Sequence, residues 1–142
     1  MTLAPTHATT VARWIPTAGW TGVLITGPSG SGKSDLALRL IGRGWRLVAD
    51  DYSHVFASAG TLYATTPATI AGRIEARGLG IVTVAHLGLA RLVLAVDCVA
   101  QPPERLPEAE TVRVAGLDLP RLRVIARHAS AVEIITAATA PL

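Results

Sequence analysis

The sequence predicts an α/β fold built around a phosphate-binding loop, and three observations carry that prediction. Half of the 142 residues are hydrophobic but only 4% are aromatic, so aliphatic side chains must build the core, as in sheets buried on both faces. The segment "GVLITGPSGSGKSDLAL" passes from a β-branched run through glycines into a helical pattern. Later apolar runs such as "ARLVLAVDCVA" supply further strands.

The first elements follow from local patterns. Residues 22–26 predict a buried strand that ends at the glycine loop. A helix should begin at Lys33, because four apolar residues then recur at helical spacing: Leu36, Ala37, Leu40 and Ile41. Gly42 and Gly44 supply the stop. Residues 46–51 predict a second strand, and together these elements indicate a compact βαβ unit.

The remaining chain predicts short strands and one more helix. "ASAGTLYA" suggests a hairpin, and "VRVAGLDLPRLRV" suggests two short strands. Residues 101–110, "QPPERLPEAE", contain three prolines and predict a surface connection. "SAVEIITAATA" predicts a helix whose start fits a capping box, Ser130 with Glu133. No repeat or boundary interrupts the chain, so we expect a single domain over residues 1–142.

Composition excludes several classes of function. The net charge is +3, and the one lysine and scattered arginines form no basic run, so we expect no nucleic-acid partner. No apolar stretch approaches the ~20 residues of a membrane span, and the N-terminus does not resemble a signal peptide. The lone cysteine, Cys98, should be a buried apolar residue in a reducing compartment, so we expect a cytoplasmic protein without a membrane partner.

The motif G-x-x-x-x-G-K-[ST] is matched at every fixed position between the predicted strand and helix. In such loops, glycines let backbone amides approach phosphates, and the helix N-terminus adds partial positive charge. Lys33 can then bridge terminal phosphates, and the Ser34 hydroxyl can ligate magnesium. The alternative is a Gly/Ser-rich turn that merely ends a strand. The predicted nucleotide-binding residues are Gly27, Pro28, Ser29, Gly30, Ser31, Gly32, Lys33 and Ser34.

An acidic pair, Asp50 and Asp51, ends the strand that is predicted after the loop helix. Carboxyl ends of adjacent parallel strands meet at one edge, so the pair should face the bound phosphates. Successive strand residues point in opposite directions, so the two carboxylates need not share a role. One could contact the metal and the other could accept a proton from an attacking hydroxyl. The alternative is a pair of aspartates that simply ends a strand.

Two further candidates come from weaker patterns. In "EARGLG", Glu75 and Arg77 could share one face of an extended chain, as metal ligand and phosphoryl-binding group. On spacing alone, a surface Glu/Arg pair before a turn explains that segment equally well. His7 lies ahead of the loop in "THATTVA", where a solvated residue is the simpler explanation.

Together these blocks resemble the catalytic domain of the HPr kinase/phosphorylase family. These bacterial enzymes phosphorylate a serine of the phosphocarrier protein HPr and can also remove that phosphate. "THATTVA", "GVLITGPSGSGKSDLALRLIGRGWRLVADD" and "EARGLGIV" carry the resemblance, and the C-terminal helix carries it faintly. "EARGLG" looks like the family's signature E-x-R-G-L-G. The resemblance implies a P-loop fold of the phosphoenolpyruvate carboxykinase-like type, a mixed β-sheet with flanking helices.

The resemblance also implies ATP and Mg²⁺ as cofactors, an HPr-like phosphocarrier as partner, and a homo-oligomer. Ser34 and Glu75 would hold the metal. Asp51, with Asp50 beside it, would be the general base for phosphorylation and the general acid in the phosphorolytic reverse reaction. The other implied catalytic residues are His7, Lys33, Arg77 and Arg127.

The chain departs from the family pattern at its ends. It looks like the short form of alphaproteobacteria that lacks the N-terminal domain, and its C-terminal segment is shorter, so the kinase reaction is the firmer expectation. "RWIPTAGW" also lengthens the link after the histidine block. Two other functions stay open: a different P-loop kinase or NTPase acting on small molecules, and a nucleotide sensor without turnover.

Overall fold

The computed structural model describes residues 5–140, and it contains two helices and a strongly curled mixed sheet. The helices are α1 (Lys33–Ile41) and α2 (Ala131–Ala138), and a short 3-10 turn spans Ala68–Ile70. The strands are β1 (Pro5–His7), β2 (Thr9–Ile15), β3 (Gly19–Thr26), β4 (Arg46–Ala49), β5 (Tyr52–Ser58), β6 (Thr61–Thr65), β7 (Arg73–Ala76), β8 (Gly80–Thr83), β9 (Leu89–Cys98), β10 (Glu110–Val114) and β11 (Leu117–Val124).

The main sheet is mixed and runs in the order β1-β5-β6-β9-β3-β2-β4. The C-terminal half of β9 also pairs in parallel with β11, which continues into the β10–β11 hairpin. Strands β7 and β8 form a separate two-stranded antiparallel sheet. The mixed α/β class predicted from the sequence is therefore confirmed.

The predicted βαβ unit is wrong in one respect, because its two strands are not neighbours. Strand β2 lies between β3 and β4 and is antiparallel to both. The reason is that residues 9–15 form a hairpin with β3. Strand β2 therefore occupies the side of β3 on which β4 would otherwise pair. Strands β3 and β4 still run in the same direction, so their carboxyl ends and the start of β2 meet at one edge of the sheet.

The two faces of the sheet bury two separate apolar clusters. Both helices pack on the same face, where Leu36 and Leu40 of α1 and Ile135 of α2 are fully buried. The other face is covered by the curl of the sheet itself, with Leu24 and Leu62 among its buried residues. Aliphatic residues build both clusters, as the composition predicts.

The ends of the elements refine several sequence predictions. The strand predicted over residues 22–26 begins earlier, at Gly19, and the strand predicted over residues 46–51 ends at Ala49. Helix α1 ends where Gly44 adopts φ 95° and the Trp45 amide reaches back to the carbonyl of Leu40.

The predicted capping box at the start of α2 is wrong. Ser130 occupies the N-cap position, but its side chain makes no capping hydrogen bond. Its backbone is in the right-handed helical region rather than the extended region that side-chain capping requires. Glu133 instead pairs with Arg43 at 3.1 Å and so joins α2 to the end of α1.

The predicted connections behave as expected. The β5–β6 hairpin turns through Ala59 and Gly60, both with positive φ, as a two-residue hairpin loop requires. The proline-rich segment contributes only exposed residues from 101 to 109.

None of the helices described in residues 5–140 is long and apolar enough to cross a membrane.

Candidate active site

The phosphate loop follows β3 and turns sharply into α1. Gly27 has φ 145°, and a Cβ atom there would lie 2.7 Å from Ser31 Oγ and 3.0 Å from the carbonyl oxygen of Cys98. Gly32 has φ 97°, and its Cβ would lie 3.1 Å from the Cβ of Ala126. The loop is therefore held against β9 and the segment after β11, and the glycines are a steric requirement of that packing.

Lys33 is buried within this loop, with a relative exposure of 6%. Its Nζ atom donates to the carbonyl oxygens of Gly27 at 2.8 Å and Pro28 at 3.1 Å. A buried ammonium needs such acceptors, because desolvation without a partner is costly. The loop thus concentrates a positive charge and backbone amides at the N-terminus of α1, the arrangement that binds phosphate.

Asp50 connects three parts of the site. Its Oδ1 atom accepts hydrogen bonds from the hydroxyls of Ser34 at 2.7 Å and Thr9 at 3.0 Å. Its Oδ2 atom accepts from the Glu75 amide at 3.4 Å. One carboxylate therefore fixes the first turn of α1, the start of β2 and strand β7 relative to one another.

Asp51 lines the same cleft but stays accessible to solvent. Its backbone has φ 66°, a conformation that costs a non-glycine residue on the order of 1–3 kcal/mol. The Thr9 hydroxyl accepts a hydrogen bond from its amide at 3.1 Å, and its Oδ1 atom lies 3.0 Å from Nε2 of His7. The side chain of Asp51 is 60% exposed. The strained backbone thus presents this carboxylate to solvent beside an imidazole.

The β7–β8 hairpin carries Glu75 and Arg77 to the same place. Ile74 is buried against the core and anchors the hairpin, while Glu75 on the neighbouring position points away from the core. Arg77 follows in the turn, where the Leu79 amide donates to the Ala76 carbonyl at 2.9 Å. Neither Glu75 nor Arg77 forms an ion pair with another residue in the described part of the chain.

A cleft of about 520 Å³ brings most of the predicted residues together. Of the residues predicted from the sequence, ten line it: Ser29, Gly30, Gly32, Lys33, Ser34, Asp50, Asp51, Glu75, Arg77 and Arg127. His7 does not line the cleft, but it contacts Asp51, which does. Residues 27, 28 and 31 belong to the loop but do not line this cleft.

A second cleft, of about 350 Å³, lies behind the phosphate loop. Its wall includes Pro28 and Ser31 on the loop, and Cys98 and Ile125 at the ends of the parallel strands β9 and β11. Ser29, Gly30 and Arg127 line both clefts, so the two spaces adjoin at these residues. Burial raises the pKa of the Cys98 thiol to about 11, so the thiol stays neutral at physiological pH.

Arg39 of α1 holds the segment that carries Arg127. Its guanidinium donates to the carbonyl oxygens of Ala126 and of His128, the residues on either side of Arg127. Asp35, one turn earlier on α1, forms an ion pair with Arg39 at 3.3 Å from its Nε atom. The position of Arg127 relative to the phosphate loop therefore depends on α1.

Sequence reasoning missed several residues of the site. Thr9 is fully buried and contacts both aspartates, and it could have been suspected only from its place two residues after His7. Asp35, Leu38 and Ile81 also line the cleft. Their patterns are those of an ordinary helix face and a hairpin, so nothing in the sequence distinguished them.

The oxygen atoms around Asp50 suit a magnesium ion. The hydroxyl of Ser34 and the carboxylates of Asp50 and Glu75 are hard oxygen donors that line one cleft. Within residues 5–140, no three His, Cys, Asp or Glu side chains converge as a ready-made metal cage. Magnesium commonly takes only one or two carboxylates and completes its shell with phosphate oxygens and water. The donor set therefore fits an ion that arrives with a nucleotide.

Comparisons with known proteins agree with this geometry. Residues 17–140 match the family model described as the HPr serine kinase C-terminal domain. The HPr kinase/phosphorylase of Geobacillus thermodenitrificans is 39% identical over 119 residues, which cover 75% of this chain and 38% of the relative. That of Clostridium kluyveri is 53% identical over 66 residues, 46% of this chain and 21% of the relative. The chain thus spans well under half the length of these curated relatives.

A solved structure extends the likeness to almost the whole chain. It is the Hpr(Ser) kinase/phosphatase from Coxiella burnetii, which matches with a TM-score of 0.78 and 27% identity over 94% of this chain and 92% of that one. The predicted fold, a P-loop domain of the phosphoenolpyruvate carboxykinase-like type, is thereby confirmed. The matched segment includes the phosphate loop, both aspartates and the β7–β8 hairpin, and the chain belongs to the HPr serine kinase C-terminal domain family.

Proposed function

We propose that this chain is an ATP- and Mg²⁺-dependent protein-serine kinase that phosphorylates an HPr-type phosphocarrier protein. One observation carries the proposal: a single cleft joins a phosphate loop to an accessible carboxylate that contacts an imidazole. The cleft thus combines the groups that bind a phosphoryl donor with a group that can activate an acceptor. The curated relatives named HPr kinase/phosphorylase support the choice of acceptor.

The phosphate loop supplies the nucleotide site of the proposal. The backbone N–H groups of the loop, which Pro28 lacks, and the Lys33 ammonium bind the phosphates of ATP, so Lys33 exchanges its bonds to loop carbonyls for bonds to phosphate oxygens. Ser34 and Glu75, with Asp50 beside them, would hold Mg²⁺. When bound, the ion neutralises charge on the phosphates. The apolar second cleft behind the loop offers space for the nucleoside.

Asp51 is the general base of the proposed reaction. The serine oxygen of the acceptor attacks the terminal phosphorus of ATP, the bond to the β-phosphate oxygen breaks, and the serine proton passes to the Asp51 carboxylate. His7 orients that carboxylate through the 3.0 Å contact, and the Thr9 hydroxyl fixes its backbone. Arg77 and Arg127 line the same cleft and hold the transferring phosphoryl group.

The same groups support the proposed reverse reaction. An oxygen of inorganic phosphate attacks the phosphoserine phosphorus, the bond to the serine oxygen breaks, and pyrophosphate is released. Asp51 takes the proton of the attacking hydrogen phosphate and delivers it to the leaving serine oxygen, so the carboxylate is regenerated and the protons balance. We further propose that the protein acts in the cytoplasm as a homo-oligomer, without nucleic acid or membrane as partners.

One assay tests the proposal. The purified protein is incubated with ATP, Mg²⁺ and an HPr-type carrier, and the carrier is weighed by mass spectrometry. We expect one added phosphoryl group on a serine, and loss of that group when inorganic phosphate replaces ATP. ATP turnover with no increase in the mass of the carrier would assign the chain to the small-molecule kinases or NTPases. Nucleotide binding without any turnover would make it a sensor.

A further inference from the structure

The β7–β8 hairpin exposes two large apolar side chains that the catalytic groups do not use. Leu79 is 78% exposed and Ile81 is 67% exposed, whereas Ile74 on the same hairpin is 1% exposed and packs into the core with Val82. The hairpin therefore has one apolar side that stabilises the fold and a second apolar pair that contacts solvent. We call Leu79 and Ile81 the hairpin apolar pair.

This pair lies at the catalytic cleft. Ile81 is the cross-strand partner of Glu75, so their side chains share a face of the hairpin, and both line the cleft that contains Asp51. Leu79 stands in the turn two residues after Arg77. A molecule whose hydroxyl reaches Asp51 therefore enters the cleft that Ile81 lines, with Leu79 on the adjoining turn.

The chemistry of the pair selects the kind of molecule that it contacts. Nucleotide phosphates and small polar acceptors gain nothing from exposed aliphatic side chains, but burial of such side chains is the usual source of affinity between proteins. Two side chains fall far short of the ~800 Å² per partner that a stable dimer buries. They suit a transient contact made while a substrate serine occupies the cleft.

We infer, on the basis of the proposed kinase function, that the hairpin apolar pair binds an apolar side chain beside the target serine of the protein substrate. The pair then acts as a specificity determinant: it recognises a serine presented on a folded protein surface with an apolar neighbour. Glu75 and Arg77 are positioned at the reacting phosphoryl group by the same hairpin. Binding of the protein substrate and placement of Glu75 and Arg77 at the phosphoryl group therefore depend on the same hairpin.

The test is the double variant Leu79→Ser/Ile81→Ser, assayed with the HPr-type carrier at saturating ATP and Mg²⁺. We expect the KM for the carrier to rise by about tenfold or more, the typical effect of losing a central apolar anchor. The dissociation constant for ATP should stay unchanged. Leu79→Ser alone, which alters no residue lining the cleft, should raise this KM by a smaller factor, and Leu79→Met should restore it.

The matched control is Leu106→Ser, because Leu106 is 82% exposed on the proline-rich connection and does not line the cleft. The KM of this control variant for the carrier should equal that of the wild type. If the wild type phosphorylates the carrier and the double variant has the same KM, the inference is overturned while the proposed function stands. If the double variant has a changed particle mass in sedimentation and an unchanged KM for the carrier, the pair serves self-association, and the inference is also overturned. Absence of transfer by the wild type would instead contradict the proposed function.

Discussion

The phosphate loop and the β7–β8 hairpin line the same cleft, yet they are held by different parts of the molecule. The loop continues from the central strand β3, its lysine is buried, and its first glycine packs against Cys98 of β9. The hairpin pairs with no other strand in the described residues and is anchored mainly by Ile74. The donor side of the site is therefore formed by a loop whose lysine and first glycine pack against the core, and the acceptor side by exposed side chains, those of the hairpin and that of Asp51.

This difference implies that the two sides can be altered separately. Backbone amides in a packed loop change little when a surface side chain is replaced. Exposed side chains on a small hairpin depend on few contacts, and such elements open at lower free energy than core strands. The predictions below test whether the donor side is independent of the acceptor side, and which contacts join them.

The largest effect is expected from Asp51→Asn. The amide cannot accept the serine proton, so the rate of phosphoryl transfer should fall by about 10²–10⁴-fold, as is typical for loss of a general base. ATP binding, measured by titration calorimetry, should be retained because the donor side is unchanged. Asp118→Asn, at an exposed carboxylate that pairs with Arg113 at 3.2 Å, is the control. Equal losses of ATP binding and transfer would show that the two sides are not separable.

A smaller effect is expected from Arg39→Met, which removes the hydrogen bonds that hold the Arg127 segment to α1. The free energy of unfolding in urea should fall by about 1–3 kcal/mol, the usual range for hydrogen bonds to a charged group. Arg43→Met removes only an exposed ion pair with Glu133, and its effect should stay below about 1 kcal/mol. Equal effects of the two substitutions would contradict the role assigned to Arg39.

The smallest effect concerns Cys98, behind the phosphate loop. Because burial raises its pKa from 9.0 to about 11, the folded state keeps its thiol proton over a range in which the unfolded state loses it. The contribution of this thiol to stability is therefore complete below pH 9 and decreases as the pH rises toward 11. Iodoacetamide at pH 8 should label the folded protein slowly and the urea-unfolded protein quickly. Rapid labelling of the folded protein would show that the loop is less tightly packed than described.

The donor side was predictable from the sequence because its signals are local. The motif of residues 27–34, the apolar spacing of α1 and the glycines that end it all lie within one short segment, and the structure has each of them. The acidic pair was found for the same reason. The prediction that these two aspartates face the loop is also consistent with the Ser34–Asp50 hydrogen bond.

The features that could not be predicted from the sequence depend on contacts between segments that are distant in the chain. Strand β2 was missed, and its insertion between β3 and β4 follows from pairings that no local pattern reports. Thr9 acquires its contacts to both aspartates only through that insertion. The capping box does not form because the backbone of Ser130 is helical, and Glu133 instead pairs with Arg43, 90 residues earlier in the chain.

The antiparallel course of β2 has a consequence for variation in chain length. Its start, next to His7, lies at the edge that carries the site, and its end leads through residues 16–18 into β3 at the far edge. Residues inserted into that turn extend the molecule away from the reacting groups and leave the register between His7 and Asp51 intact. The longer link predicted from the sequence in "RWIPTAGW" includes this turn, so we expect its added length to leave the reacting groups undisturbed.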